Sequence, residues 1–409
     1  MLKIFLFCYG ISIALPDIVV AEINNVRFRL DDVIIIVLFI YSIIIFLSNS
    51  LHFTRTQIII IDSVLLFALY CLQSIFIGIL RNLPLDFYSF SRMIMCVVIF
   101  VTFVIILKEK RFRTFNLGFL VGSVLFLLQF IFRYYDILGN SDIEYYYQIK
   151  KVLSFETWNP NNTANTAIML AFILILTSSS TVRPLRNLSN VLSALLITIP
   201  FLVFSRGAVL DILIAGLSFF LLSPKGEKFR ILALYFIPIT LSLIYYFFIV
   251  FINQSNFVVQ AFTIDLRTGR GLSRHDIMWK TALDLIVESP ILGHGFGQEI
   301  LLYKEKLGSG MAHNAFLSVW VECGFIGLLI FIFPFLYMIR KFLKFLQRSS
   351  HINNYDNRVI ICLSFLIGLL ILNLSQSASY WYKQQMLIFT MMVIYLGIFE
   401  DMISKYWRK

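Results

Sequence analysis

Three polar side chains stand out in a chain that is otherwise nearly all apolar: Arg206, Arg274 and His313. Arg206 lies between two apolar runs in LVFSRGAVLDIL. A cation at that depth is costly unless it is paired, hydrated or bound to an anion. Gly207 follows it and a helix should start there, so a guanidinium and a helix N-terminus meet as an anion site. An arginine that snorkels to the outer interface is the plainer alternative. Arg274 precedes an amphipathic stretch in which Ser273 can cap and Asp276 follows three residues on, resembling a capping box. Trp279, Ala282, Leu283 and Ile286 give that stretch one apolar face, and Pro290 stops it. A cation at a helix N-terminus opposes the dipole, which again points to a bound anion, with an exposed loop arginine as the alternative. Arg270 adds a further cation close by. His313 stands directly before an apolar run, where it can accept a proton near neutral pH or simply sit at the interface.

Weaker candidates surround these. Asp62, Asp211 and Gln129 fall within apolar runs, as proton-relay groups or as interhelical hydrogen-bond partners. Arg92, near the outer end of its run, can add to an anion site. The segment Gly293-His294-Gly295-Phe296-Gly297 is glycine-rich but lacks a phosphate-loop pattern and reads as a turn. A zinc site from His275, His294 and His313 has no recognised ligand spacing, and neither a metal nor another cofactor is called for.

The elements that must position these residues are membrane helices. Of the 409 residues 59% are hydrophobic and 14% charged, a balance that excludes an ordinary soluble domain. Repeated apolar runs of about 18 residues or more read as α-helical spans. A β-barrel would show short alternating strands instead. The net charge of +11 follows from basic clusters in alternate loops, as the positive-inside rule requires, and no basic-aromatic patch suggests nucleic acid. Cys8, Cys71, Cys96, Cys323 and Cys362 each fall in an apolar run and read as small core residues.

In order, spans are expected over about 1–20, 32–46, 57–80, 88–107, 115–132, 164–177, 188–204, 208–222, 231–251, 314–337, 359–374 and 385–399. The first competes with a cleaved signal peptide, because Val19 and Ala21 suit a cleavage site. Lys108 to Arg113, Arg183 and Arg186, Lys225 to Arg230, Arg340 to Arg348 and the C-terminal Lys405, Arg408 and Lys409 all fall on one side, which is then cytoplasmic. Arg27 and Arg29 are the exception, offset by Asp31 and Asp32. The reading is one all-α polytopic bundle over residues 1–409, with about 12 spans and both termini cytoplasmic. A large external loop, residues 252–312, joins spans nine and ten and carries Arg270 and Arg274; only Ser205-Arg206-Gly207 separates spans seven and eight.

Several pieces together resemble the O-antigen ligase and polymerase superfamily. His313-Asn314, nine residues and Gly324-Phe325-Ile326-Gly327 resemble its H-N-x9-G-x-x-G motif. SRHDIMWKTALDLIVESPILGHGFG resembles its R-x4-W…P-x-x-G-x-G segment. FSRGA resembles its T/S-R-G-A hairpin, and WNPNNTANTAIML its N-P-N-x-x-A opening of a span. The resemblance covers about Trp158 to Leu328. It implies a metal-independent membrane glycosyltransferase of the GT-C type. Such an enzyme acts on undecaprenyl-pyrophosphate-linked glycan at the outer face of the bacterial inner membrane. Carried over by position, Arg206 and Arg274 bind the pyrophosphate and His313 serves catalysis. Arg270, Asn314 and Asn161 are further substrate contacts on this reading. A chain-length regulator and a flippase are the partners it suggests, beside the lipid bilayer.

The family divides by acceptor. The N-P-N form and PILGHGFG favour a polymerase that adds the growing chain to a new lipid-linked repeat unit. A ligase that transfers the finished polymer to lipid A-core, or a protein-glycosylating relative, is the alternative. In a different class stands a flippase or secondary transporter, which would concentrate charge inside the spans; a purely structural assembly protein would not need Arg206, Arg274 and His313 together.

Overall fold

The computed structural model describes residues 2–15, 19–23, 26–48, 53–81, 83, 87–108, 112–138, 160–178, 183–203, 205–223, 240, 244, 275–308, 312–350 and 357–375. In chain order these form helix α1 (Leu2–Ala14), strands β1 (Val19–Ile23) and β2 (Val26–Arg29), and helices α2 (Leu30–Ser48), α3 (Arg55–Leu80), α4 (Phe87–Lys108) and α5 (Phe112–Leu138). There follow α6 (Pro160–Ser178), α7 (Arg183–Leu202), α8 (Arg206–Leu222), α9 (His275–Glu288), α10 (Glu299–Leu307), α11 (Ala315–Ser350) and α12 (Asn357–Ser375). The protein is an all-α polytopic membrane protein.

Among the described residues five helical stretches are long and apolar enough to cross a membrane: Leu30–Ser48, Arg55–Leu80, Thr114–Arg133, Pro184–Leu202 and Ala315–Gln347. Shorter apolar helices cover Leu2–Ala14, Ser89–Ile105, Asn162–Leu176, Gly207–Leu222 and Val359–Leu370. Of the span expected over 231–251 only residues 240 and 244 are described, and the span expected over 385–399 lies outside the described residues.

The first expected span is shorter than read from sequence. Its helix ends at Ala14, ahead of Pro16, which cannot donate a backbone hydrogen bond and disfavours helix in the residue before it. The β-branched run that follows pairs as an antiparallel hairpin, with Ala21 opposite Phe28 and Glu22 opposite Arg27. Asp32 then accepts from the backbone N–H of Arg29 at 2.8 Å, anchoring the start of α2.

The described residues fall into two compact units, built from 1–18, 112–270 and 355–372 and from 19–111, 271–354 and 373–409. In the first, α1 lies along α5, and α6 packs against α7, α8 and α5. Helix α6 is buried on all its faces from Asn162 to Leu176, as a helix at the centre of a bundle must be. In the second, α3 packs against α11 and α4, α2 against α4, and both α9 and α10 against α11. A capping box starts α3: Thr54 Oγ1 accepts from the Gln57 N–H at 3.3 Å and Gln57 Oε1 from the Thr54 N–H at 3.0 Å. All five cysteines are free thiols, and all but Cys8 are buried.

Candidate functional site

The segment that follows α9 is folded onto the start of α11. Ala282, Leu285 and Ile286 of α9, Leu302 and Tyr303 of α10, Ala312 and Val321 form one buried cluster, flanked by Met278, Leu317 and Trp320. The inward stripe of α9 is therefore Met278, Ala282, Leu285 and Ile286. Leu283, part of the apolar face read from sequence, is 52% exposed and lies beside exposed Val287. The difference is one of phase: α9 carries apolar residues on two faces, and periodicity alone did not say which packs inward.

Past α9, the residues from Pro290 to Gly297 dock on a break in α11. Gly324 has φ 68° and ψ −175°, which interrupts the helix and leaves nearby backbone groups without helical partners. The turn supplies them. The His294 N–H donates to Val321 O and the Gly295 N–H to Glu322 O, both at 2.9 Å, and the Phe325 N–H donates to Pro290 O at 2.9 Å. Glu322 O also accepts from Ser74 Oγ of α3 at 2.8 Å, and Pro290 O from Trp320 Nε1 at 3.0 Å. The two backbones are in direct contact: a Cβ on Gly324 would lie 2.0 Å from Ile291 O, and one on Gly293 2.3 Å from Glu322 O. Both glycines also take positive φ, so neither position admits a side chain.

The turn is fixed from its other side by Arg81, at the C-cap of α3. Its Nη1 donates to Gly293 O at 3.0 Å and its Nη2 to Ser289 Oγ at 3.0 Å, while Ser289 Oγ donates to Gly293 O at 2.7 Å. His294 is buried in the same knot. Its Nε2 lies 2.8 Å from Leu285 O, which can only accept, so Nε2 carries a hydrogen. Its Nδ1 faces Arg81 Nη1 at 3.4 Å. Both ring nitrogens are thereby committed, which removes His294 from the three-histidine zinc arrangement. Among the described residues no group of three or more His, Cys, Asp or Glu is placed to hold a metal ion.

His313 sits at the junction between this substructure and α11. It is half-buried and has φ 50°, a left-handed conformation unusual for a residue with a side chain. Its neighbours are pinned. The Ala312 N–H donates to Glu299 Oε1 at 2.7 Å, and Ala312 O accepts from Trp279 Nε1 at 3.0 Å. On the other side Asn314 caps α11, its Oδ1 accepting from the Phe316 N–H at 3.0 Å and the Leu317 N–H at 3.1 Å. Glu299 Oε1 accepts a second bond, from Ser318 Oγ at 2.9 Å, and the Glu299 N–H donates to Glu322 Oε1 at 3.1 Å. Burial pushes the Glu299 carboxyl from 4.5 up to about 7, against the bonds from Ala312 and Ser318 that favour its ionised form. Burial, with the Glu299 charge adding to it, also raises the Tyr303 phenol, whose O–H donates to Met278 O at 2.7 Å.

The sequence candidates thus divide. His313 and Asn314 stand together in the second unit, the Asn314 side-chain oxygen being occupied with capping. Arg206 is the first residue of α8 in the first unit. Ser205, its N-cap, makes no capping bond with its side chain. Asn161 lies in the first turn of α6. Arg270 and Arg274, and with them Ser273, lie outside the described residues. Asp211 is buried, with Oδ1 close enough to Gly368 that a Cβ there would lie 2.4 Å away; Asp62 and Gln129 are exposed, and Arg92 lies in α4.

Glu299, Trp279 and Arg81 carry the local geometry without having been picked out for it. Glu299 had a sequence signal: it falls at i, i+3 and i+4 with Leu302 and Tyr303, so an acid occupies the buried stripe of α10.

A family model described as O-Antigen ligase matches residues 191–332. That stretch contains Arg206, Arg270, Arg274, Glu299, His313 and the break at Gly324. No curated protein sequence matches the chain. Over that stretch the chain is similar to this family.

Proposed function

We propose that the protein polymerises undecaprenyl-pyrophosphate-linked repeat units at the outer face of the bacterial inner membrane. The observation that carries the reading is His313: half-buried, held at φ 50° between a doubly bonded Ala312 and the Asn314 cap, immediately before a membrane-spanning helix. A base for an acceptor hydroxyl needs that kind of fixed placement at the membrane surface.

In this mechanism His313 takes the proton of the acceptor hydroxyl as its oxygen attacks the anomeric carbon of the donor sugar. The bond from that carbon to the pyrophosphate oxygen breaks, and charge develops on the departing lipid diphosphate. On this reading neutralising that charge falls to Arg206, Arg274 and Arg270. The arginines make a metal unnecessary for the leaving group. Asn161 remains a candidate sugar or diphosphate contact, and a flippase and a chain-length regulator are the partners this activity requires.

The description of the matching family favours a second reading, a ligase that hands the finished polymer to its final acceptor. Deleting the gene in its host and separating surface glycan and lipid-linked glycan on gels distinguishes the two. Loss of the long-chain ladder, with single repeat units still attached, supports the polymerase. Long chains stranded on undecaprenyl pyrophosphate support the ligase. Complementation with His313→Ala should fail in either case; full complementation would remove His313 from catalysis and favour a transporter.

A further inference from the structure

We infer that Glu299 is the positioning residue of the candidate active site: one buried carboxyl oxygen ties the backbone just before His313 to the Ser318 hydroxyl in the first turn of α11. This rests on the glycosyl-transfer reading of His313. Glu299 Oε1 accepts from the N–H of Ala312, the residue before His313, and from Ser318 Oγ in the first turn of α11. Trp279 Nε1 donates to Ala312 O, so the peptides on both sides of Ala312 are fixed, one of them being the amide plane of His313 itself. A left-handed conformation at a residue with a side chain persists only where its surroundings determine it from several directions, and these bonds do so.

Glu299 is itself held in place. Its N–H donates to Glu322 Oε1, while Glu322 O takes the Gly295 N–H and Ser74 Oγ at the break in α11. The docked turn, the helix break and the backbone before His313 are therefore joined through Glu299, by its N–H on one side and its carboxyl on the other, and the residue is 3% exposed. An apolar residue at this place in the buried stripe would cost less to bury, as the upward shift of the carboxyl's pKa by burial indicates. The acid is explained by what it binds.

The test uses the full-length protein in detergent with the host's undecaprenyl-pyrophosphate-linked repeat unit as substrate. Turnover and hydrogen exchange of the segment 312–318 are measured together. Glu299→Met fills the volume but offers no oxygen acceptor. It should speed exchange in 312–318 and lower kcat by about ten- to a hundredfold, leaving KM for the lipid-linked donor within about twofold, because binding the donor falls to the arginines. Glu299→Gln, which keeps an oxygen for Ala312 and Ser318, should recover most of the kcat. Faster exchange in Glu299→Met with unchanged kcat, while His313→Ala is inactive, overturns the inference and leaves the glycosyl-transfer reading intact. A His313→Ala protein with wild-type turnover overturns that reading and the inference with it. Should Glu299→Met not fold, Glu299→Ala is measured in the same way, and unchanged kcat there is equally decisive.

Discussion

Replacing Glu299 by glutamine should make the protein more stable, with a gain that grows as pH rises from about 4.5 and is complete above about 7. The carboxyl ionises at about 7 in the folded protein against 4.5 when free. Between those values the folded state keeps a proton that the unfolded chain has released. Stability is then greatest below 4.5, falls as pH rises through the interval, and levels off above about 7. At about 1.36 kcal/mol per pH unit the difference amounts to about 3 kcal/mol. Glutamine cannot ionise and keeps an oxygen for the Ala312 N–H and Ser318 Oγ, so it removes this cost. Unfolding in detergent, followed by tryptophan fluorescence, is a suitable assay, since Trp279 donates to Ala312 O and Trp320 to Pro290 O within the affected substructure. Wild type and Glu299→Gln should unfold alike near pH 4.5 and separate in favour of glutamine by up to about 3 kcal/mol at pH 8. Equal stability at both pH values, or a glutamine variant that is weaker at pH 8, would refute the reasoning that burial of this carboxyl dominates its energetics.

Three further outcomes are expected. His313→Ala should lower turnover by about a hundred- to ten-thousandfold while leaving thermal unfolding close to wild type, since the ring is half-buried. Gly324→Ala should destabilise the second unit by about 2 kcal/mol or more, read by unfolding in detergent, because the new methyl meets Ile291 O and φ 68° disfavours any side chain. Arg81→Ala should cost less, about 1 to 2 kcal/mol, because Ser289 Oγ still donates to Gly293 O; faster hydrogen exchange confined to residues 289–297 is its signature.

The membrane architecture was legible because apolar runs and basic loops are direct consequences of bilayer thickness and charge. What failed at the N-terminus failed for a local reason: an apolar run that contains Pro16 continues to look like a span after its helix has ended. The apolar face of α9 did not say by itself which of its residues pack on the protein, because the helix presents apolar residues in more than one direction and only the position of α11 selects Ala282, Leu285 and Ile286. Arg81 was opaque for another reason. It reads as a charge at the end of a span, and nothing in its neighbourhood announces a turn more than two hundred residues later that needs a donor for Gly293 O.

The pattern H-N-x9-G-x-x-G acquires a physical meaning from this arrangement. Asn314 starts α11 by capping it, and Gly324 interrupts the same helix where the glycine-rich turn docks. The stretch between them is therefore bounded by two backbone devices, one at each end. Its interior is gripped by that turn at Val321 and Glu322 and by Glu299 at Ser318. His313 stands just outside the first device, on the residue before the cap. A base placed there inherits the rigidity of the bounded segment without being buried in it. The asparagine and first glycine of the motif therefore act on the geometry of the histidine, and the arginines are left to act on charge. On the proposed mechanism this division predicts which kinetic constant each substitution moves: both KM for the donor and kcat with Arg206 and Arg274, kcat alone with His313 and Glu299.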